Sequence, residues 1–255
     1  MTVEHKTSAL RAALITGAGR RIGRAITLAL SRAGFAVVLH AHRSRAEAEK
    51  LAEEIVQAGG QAAVVLADFA NGEALRKLVP AAATFGPLTL LVNNASQFEE
   101  DDIATLDRAR FEQTIAVNLT APLFLGKAFA AQAPEGSSIV NVLDQRVLKP
   151  TPRFFSYTLS KSALHTATIT LAQALAPKLR VNAVAPGPTL PSPRQSAEQF
   201  AAQAAAVPLQ RGPTPEDVAA AVLYLAEAKS VTGMVIAVDG GQHLAWRATD
   251  SDVAG

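Results

Sequence analysis

Seven short apolar runs, none longer than six residues, punctuate this chain, and segments of helical period separate them. They are Ala12–Thr16, Ala36–His40, Ala62–Ala67, Leu88–Asn93, Ser138–Leu143, Arg180–Ala185 and Met234–Asp239. Their Val, Ile and Leu residues do not alternate with polar ones. A strand with one face in water alternates, so these strands are expected to be covered on both faces, as in a parallel sheet between two helical layers. Helical patterns fill Ile22–Ala33, Arg45–Ala58, Glu73–Thr84, Ala109–Ala131, Ser156–Ala176 and Pro215–Ala228. Gly34 and the Ala-Gly-Gly at 58–60 end helices, and Pro215 followed by Glu-Asp opens one. Right-handed βα crossovers then predict an α/β fold: one doubly wound Rossmann-type domain over residues 1–255, with a seven-stranded parallel sheet flanked by helices. The stretch Pro186–Pro213 interrupts the pattern and is expected to be a long functional loop, such as a lid.

Composition narrows the chemistry. Apolar residues make up 49% of the 255, enough to bury a core, so disorder is excluded as the default. Without cysteine there is no disulfide, no thiol nucleophile and no cysteine-containing zinc site. The five histidines (His5, His40, His42, His165 and His243) form no HExxH pair, and no metal is expected. Twenty-four cationic residues against 22 acidic ones leave no basic track for nucleic acid. The first residues contain no apolar signal core, and nowhere do 18 apolar residues run together, so a soluble cytoplasmic protein without a membrane segment is expected.

The first strand runs into Thr16-Gly17-Ala18-Gly19-Arg20-Arg21-Ile22-Gly23 and then a helix. Glycines let the backbone approach a pyrophosphate, and the helix N-terminus offers free N–H groups. A tight turn alone accounts for one or two glycines. It leaves Arg20 and Arg21 unexplained, since cations oppose the helix dipole at that end, whereas a bound polyanion reverses the penalty. After the second strand a NAD site usually carries an acid on the ribose 2′-hydroxyl. Here the residues are His40-Ala41-His42-Arg43-Ser44-Arg45, with no acid before Glu47. Cations and a hydroxyl suit a 2′-phosphate, and NADP(H) is the expected cofactor. The competing reading is a solvated helix start with Ser44 as its N-cap.

Thr16–Gly23, Asn93-Asn94-Ala95-Ser96 and Tyr157-Thr158-Leu159-Ser160-Lys161, in this order, resemble the motifs of the short-chain dehydrogenase/reductase family. The resemblance extends from Leu14 to about Gly241, and Pro186-Gly187 and Val238-Asp239-Gly240-Gly241 also match. The family's common pattern is TGxxxGxG, NNAG and a serine about a dozen residues before the tyrosine. In this chain Arg21 replaces the middle glycine, Ser96 replaces the NNAG glycine, and Asp144 stands at the serine position. With the run His40–Ser44 and with Phe98, these departures are similar to the pteridine reductase branch, which reduces dihydropterins and folates with NADPH.

The resemblance implies a cofactor site of Gly17, Arg20, Arg21, Ile22, His40, His42, Arg43, Ser44, Asp68, Phe69, Asn94, Ala95, Ser96, Tyr157, Lys161, Pro186, Gly187 and Thr189. Asp68 is expected to accept from the adenine amino group, and Phe98 to stack on a flat heterocycle opposite the nicotinamide. Asp144, Tyr157, Lys161 and Asn118 are implied as the catalytic set. Tyr157 and Lys161, at i and i+4, share a helix face, where an ammonium lowers the affinity of a phenol for its proton. Asp144 differs chemically from the serine it replaces. A serine donates to a ketone oxygen, whereas an ionised aspartate only accepts, which favours a ring bearing N–H groups. The expected activity is NADPH-dependent reduction of a dihydropterin or dihydrofolate, with Tyr157 and Asp144 relaying the proton. Two further readings stay open: a general NADPH-dependent ketoreductase, for example on an oxoacyl substrate, and an NADP-binding sensor without turnover. By family analogy, helices 109–131 and 156–176 are expected to form the faces of a homotetramer.

Overall fold

The apolar runs pair into one seven-stranded parallel sheet in the order β3-β2-β1-β4-β5-β6-β7. The structure is a computed structural model and describes residues 11–192 and 195–245, so His5 and both ends of the 1–255 span lie outside it. The strands are β1 (Arg11–Ile15), β2 (Phe35–Ala41), β3 (Ala62–Leu66), β4 (Leu88–Asn93), β5 (Ser138–Val142), β6 (Arg180–Pro186) and β7 (Val235–Val238). The helices are α1 (Arg21–Arg32), α2 (Arg45–Gln57), α3 (Gly72–Ala83), α4 (Arg108–Ile115), α5 (Ala121–Gln132), α6 (Phe155–Leu175), α7 (Ala197–Ala205) and α8 (Pro215–Glu227).

Successive strand residues face opposite helical layers, which explains why the inner strands read as continuous apolar runs. Leu14, Val38 and Leu91 bury into one core with Leu78, Leu125 and Phe129, on the side of α3 and α5. Their neighbours Ile15, Leu39 and Val92 bury into the other, with Ile26, Leu51 and Val222 on the side of α1, α2 and α8. The edge strands β3 and β7 are only half-buried, because each lacks a neighbour on one side.

Two expectations are corrected. The helix expected over 109–131 is broken by a π-helical turn at Ala116–Thr120, between α4 and α5. The joined segment Arg108–Gln132 is long and apolar enough to resemble a membrane span, but Ala121, Leu125 and Phe129 are buried in the core. The segment 186–213 is not all loop, since it contains α7. Ser196 accepts from the Gln199 N–H and the Gln199 side chain returns to the Ser196 N–H, a capping box visible in the residue types alone.

The strands' carboxyl ends gather the glycine turn after β1, residues 93–97 after β4, Asp144 after β5 and Pro186-Gly187 at the end of β6. Gly23, on the buried face of α1, lets that helix start against the turn. A Cβ there would lie 2.1 Å from the Gly17 carbonyl oxygen and 2.7 Å from Asn94 Nδ2. Gly23→Ala is therefore expected to lose about 1–3 kcal/mol of stability through overpacking, although alanine is the better helix former. Gly126→Ala, whose added Cβ meets only Ile139 Cδ1 at 3.7 Å, is the control. Urea unfolding of both variants decides; a Gly23→Ala protein as stable as its parent would show that the turn yields freely.

Candidate active site

The turn after β1 is held from the neighbouring strand. Thr16 Oγ1 accepts from the backbone N–H groups of Asn94 and Ala95, both at 2.9 Å. Asn94 Nδ2 donates back to the carbonyls of Thr16 (2.8 Å) and Gly17 (3.0 Å). Gly17 has φ +63°, and a Cβ there would press on Ala95 Cα at 3.0 Å, so this turn needs glycine for both conformation and space. Ile22 lies half-buried in the first turn of α1.

Arg20 and Arg21, expected to need a polyanion, already have partners in the chain. Arg20 lies 3.5 Å from Glu47 on α2, and Arg21 donates to the carbonyls of Pro191 (2.9 Å) and Leu190 (3.2 Å). Arg21 also carries φ +52° where the family pattern has glycine.

After β2, the histidines diverge. His40 is 2% exposed: its Nδ1 accepts from the Gly17 N–H at 3.3 Å, its Nε2 lies 3.1 Å from the Ala67 carbonyl, and its ring stacks on Phe69 at 4.4 Å. Burial lowers its pKa from 6.5 to about 4. His40 therefore offers no charge to a phosphate: its neutral ring, with both nitrogens engaged and Phe69 stacked on it, braces the glycine turn from behind. His42 is exposed, with Nε2 3.7 Å from Asp68 Oδ2, while Asp68 Oδ1 accepts from the Ala70 N–H and closes a turn. Arg43 is exposed and forms no ion pair or hydrogen bond among the described residues. Ser44 occupies the N-cap of α2, but its hydroxyl makes no capping bond.

After β5, Asp144 begins a short 3₁₀ turn (Gln145–Val147) and meets Tyr157 from α6, whose hydroxyl donates to Asp144 Oδ2 at 3.1 Å. Burial first, then the Asp144 charge, raises the Tyr157 pKa well above 10, so the phenol keeps its proton. The expected ammonium–phenol contact is corrected too. Lys161 Nζ donates to the Val142 carbonyl at 2.7 Å and sits 5.8 Å from the Tyr157 ring centre. Burial lowers the Lys161 pKa to about 8.

Arg146 escaped the sequence reading. Its Nη1 lies 3.1 and 3.2 Å from the two Asp144 oxygens, and its guanidinium covers Phe154 at 4.9 Å and Phe98 at 5.6 Å. Phe98 stacks on Phe154 at 4.4 Å and meets the Tyr157 ring edge-on at 4.7 Å. One face of Phe98 is therefore already occupied within the chain. Phe154 pays for its place with φ +57°, a conformation that costs roughly 1–3 kcal/mol and persists only when surroundings over-determine it. Those surroundings join two distant segments: Glu100 pairs with Arg153, and Asp101 accepts from the backbone N–H and hydroxyl of Ser156 at the start of α6.

Asn118 lies in the π-helical turn, fully buried. It accepts from the Gln97 N–H (2.8 Å) and the Ser96 hydroxyl (3.2 Å), and donates to the Gln97 carbonyl (2.9 Å) and Ser160 Oγ (3.1 Å). Its side chain thus secures residues 96–97 and α6 rather than reaching Tyr157 or Lys161. At the end of β6, Gly187 donates to the Val238 carbonyl at 2.9 Å, and Thr189 donates its hydroxyl proton to the Gly187 carbonyl at 3.0 Å. The sequence held no pattern for the Asp144–Arg146 contact, whereas Thr16 was marked by its place directly before the first glycine.

A family model described as enoyl-(acyl carrier protein) reductase matches residues 17–243. An uncharacterized oxidoreductase of Methylorubrum extorquens is 38% identical over 242 residues, spanning 91% of this chain and 97% of its own. Among solved structures, the FolM alternative dihydrofolate reductase 1 of Brucella canis, complexed with NADP, superposes with a TM-score of 0.92 at 49% identity, covering 96% of this chain and 98% of that one. The corresponding Brucella suis protein, also in complex with NADP, gives 0.91 at 50% identity, with 94% and 97% covered.

The buried His40 has a consequence for stability. Its folded-state pKa of about 4 lies below the ordinary 6.5, so the unfolded chain binds the proton more readily between these values. The stability this provides is complete above pH 6.5 and is lost as the pH falls towards 4, with a slope of at most about 1.4 kcal/mol per pH unit. His40→Gln, which cannot titrate, is expected to flatten that dependence. Urea midpoints across this range test it; equal slopes in both proteins would assign the dependence to other groups.

Proposed function

Because the chain belongs to the short-chain dehydrogenase/reductase family and is an NADPH-dependent oxidoreductase, we propose that it reduces a dihydropterin or dihydrofolate. The observation that carries the proposal is the Tyr157 hydroxyl seated on the Asp144 carboxylate at 3.1 Å. Ketone reduction calls for a second donor where Asp144 stands, and a carboxylate is an acceptor. The likeness to the two Brucella dihydrofolate reductases supports the same substrate class.

The residues present fit NADP(H). The glycine turn packs directly on neighbouring backbone, where a Cβ at Gly17 would lie 3.0 Å from Ala95 Cα and one at Gly19 2.9 Å from the Ala48 nitrogen. This close packing keeps the backbone N–H groups at the start of α1 near the strand ends, as a pyrophosphate site requires. Beside it, Arg43 and the Ser44 hydroxyl have no partner among the described residues, and they are the groups proposed to take the 2′-phosphate. His42 flanks them, while Asn94, Ala95 and Ser96 border the turn, and Pro186, Gly187 and Thr189 form the rim at β6. When bound, NADPH supplies the hydride.

In the proposed reaction a ring C=N bond becomes CH–NH, gaining hydride at carbon and a proton at nitrogen. The buried Tyr157 holds its proton through neutral pH, and its hydrogen bond to Asp144 orients it; the pair delivers that proton to the ring nitrogen. Phe98, with Phe154 behind it, forms an aromatic wall for a flat heterocycle. Lys161, anchored on Val142, places an ammonium at the floor of the site. Exposed Phe124 on α5 and Leu159 and Ile169 on α6 support the proposal of a homotetramer assembled through these helices.

Arg43→Ala is expected to weaken NADPH binding by roughly 10- to 100-fold, since a hydrogen bond to a charged group contributes about 1.5–3 kcal/mol. NADH binding should hardly change. Calorimetric titration of both cofactors measures this, and equal losses would remove Arg43 from the 2′-phosphate.

Asp144→Ser restores the donor that a ketone needs and removes the acceptor that holds Tyr157. Dihydropterin or dihydrofolate reduction should fall by roughly 10²-fold, within the range for a positioned acid, while an activated ketone is reduced as well as before or better. The measurement is kcat/KM for both substrate classes in parent and variant. A parent enzyme that prefers ketones, or a variant with full pterin activity, would make this a general ketoreductase.

A further inference from the structure

The acceptor positions of Asp144 are all occupied. A carboxylate offers about four lone-pair sites. Oδ1 accepts from the Arg146 backbone N–H at 2.9 Å and from Arg146 Nη1 at 3.1 Å; Oδ2 accepts from the same Nη1 at 3.2 Å and from the Tyr157 hydroxyl at 3.1 Å. Three of the four come from one residue. Arg146 is itself fixed, because its guanidinium lies over the stacked rings of Phe98 and Phe154, and only 18% of its side chain is exposed. Its Nε is buried without a partner, so the group is oriented by the carboxylate and the rings although one of its own donors goes unmet.

We propose that Arg146 is a positioning residue for the reaction: it locks the Asp144 carboxylate onto the Tyr157 hydroxyl, so that Asp144 acts through Tyr157 and not directly on the substrate. The proposal rests on the reading of Tyr157 and Asp144 as the proton-delivering pair. Without the Arg146 side chain, Asp144 keeps the backbone N–H of residue 146 on Oδ1, but two acceptor positions open beside the Tyr157 hydroxyl and the carboxylate is free to turn towards solvent or a substrate N–H. With it, a single proton donor faces the site in one geometry. The other charged and titratable groups on the packed elements do not replace it. From α6, Lys161 is engaged on Val142; Asp239 and His243, at the end turn after β7, bond each other at 2.7 Å; Arg180 on β6 is engaged with the carbonyls of α8.

The test uses Arg146→Ala, Arg146→Met and Arg146→Lys. Misplacement of a reacting group by about 1 Å costs on the order of 10²-fold, so Arg146→Ala is expected to lose roughly that in kcat, with KM and the calorimetric Kd for NADPH within about threefold of the parent. Arg146→Met keeps a stem over the rings but no charge and should lose as much, which keeps the test available if the alanine variant fails to fold. Arg146→Lys should recover part of the loss, because an ammonium replaces the charge but not the fork. Added methylguanidinium should restore kcat in the alanine variant in a saturable way. An unchanged kcat, a loss confined to KM, or a loss that neither lysine nor methylguanidinium relieves would overturn the assignment. The substrate reading fails separately, if the parent reduces activated ketones and no dihydropterin. The same variants measured on that ketone still decide the role of Arg146.

Discussion

The Thr16 hydroxyl and the Asn94 amide tie the carboxyl ends of β1 and β4 together, and the rest of the site depends on that tie. β1 and β4 are adjacent in the sheet but distant in sequence, and the winding reverses between them: β2 and β3 lie on one side, β5 to β7 on the other. Such a switch point opens a crevice above the strand ends. An open crevice exposes backbone polar groups that must find partners. Here Thr16 Oγ1 takes two N–H donors from one strand end, and Asn94 Nδ2 gives two bonds to the other. The glycine turn is thereby braced at its base, while His40, packed beneath it, receives the Gly17 N–H.

The reacting end of the site is built differently, from side chains that reach across long sequence separations. Residues 98–101 and 153–156 are fastened by a ring stack, an ion pair and the Asp101 carboxylate at the start of α6. That carboxylate meets the otherwise orphaned Ser156 N–H, and the Asp101 carbonyl the Phe155 N–H, at the start of the helix that carries Tyr157 and Lys161. The position of Tyr157 is thus set from both directions: its helix is anchored by Asp101, and its hydroxyl by Asp144. The left-handed conformation of Phe154 is the local cost of turning the chain into α6 while its ring stays against Phe98.

Much of this was legible in the residues, and what was not has physical reasons. The strands could be read because burial on both faces leaves few polar residues inside them, Asn141 and Asn182 being exceptions whose side chains are hydrogen-bonded, and Leu88–Asn93 matches β4 at both ends. Tyr157 and Asp144 were found through their spacing and the change of residue type. The partners of Arg20 and Arg21 were not, because Glu47 and the carbonyls of Leu190 and Pro191 belong to other elements that only the folded chain brings near. His40 looked like a cation for phosphate, yet its place inside a strand, at the last residue predicted for β2, is what buries and neutralises it. The π-helical turn at Asn118 was not legible, since it is defined by which carbonyls the folded backbone pairs and no Pro or Gly marks Ala116–Thr120.

The charges at the site divide according to how each tolerates burial. Lys161 and Arg146 are both cations near Asp144, but they answer desolvation differently. The Lys161 ammonium is strongly hydrated in water, and its burial lowers the pKa to about 8 despite the attraction of Asp144 and the bond to Val142. A guanidinium is more weakly hydrated and keeps its charge when buried, spreading it over a plane that also stacks on aromatic faces. The Phe98–Phe154 platform therefore suits an arginine and would hold a lysine poorly. Burial thus favours the neutral form of Lys161, which is held on the Val142 carbonyl, whereas Arg146 is held on the Asp144 carboxylate. Of the two, Arg146 is the one that hydrogen-bonds the Asp144 carboxylate, and it does so beside the Tyr157 hydroxyl that the same carboxylate accepts.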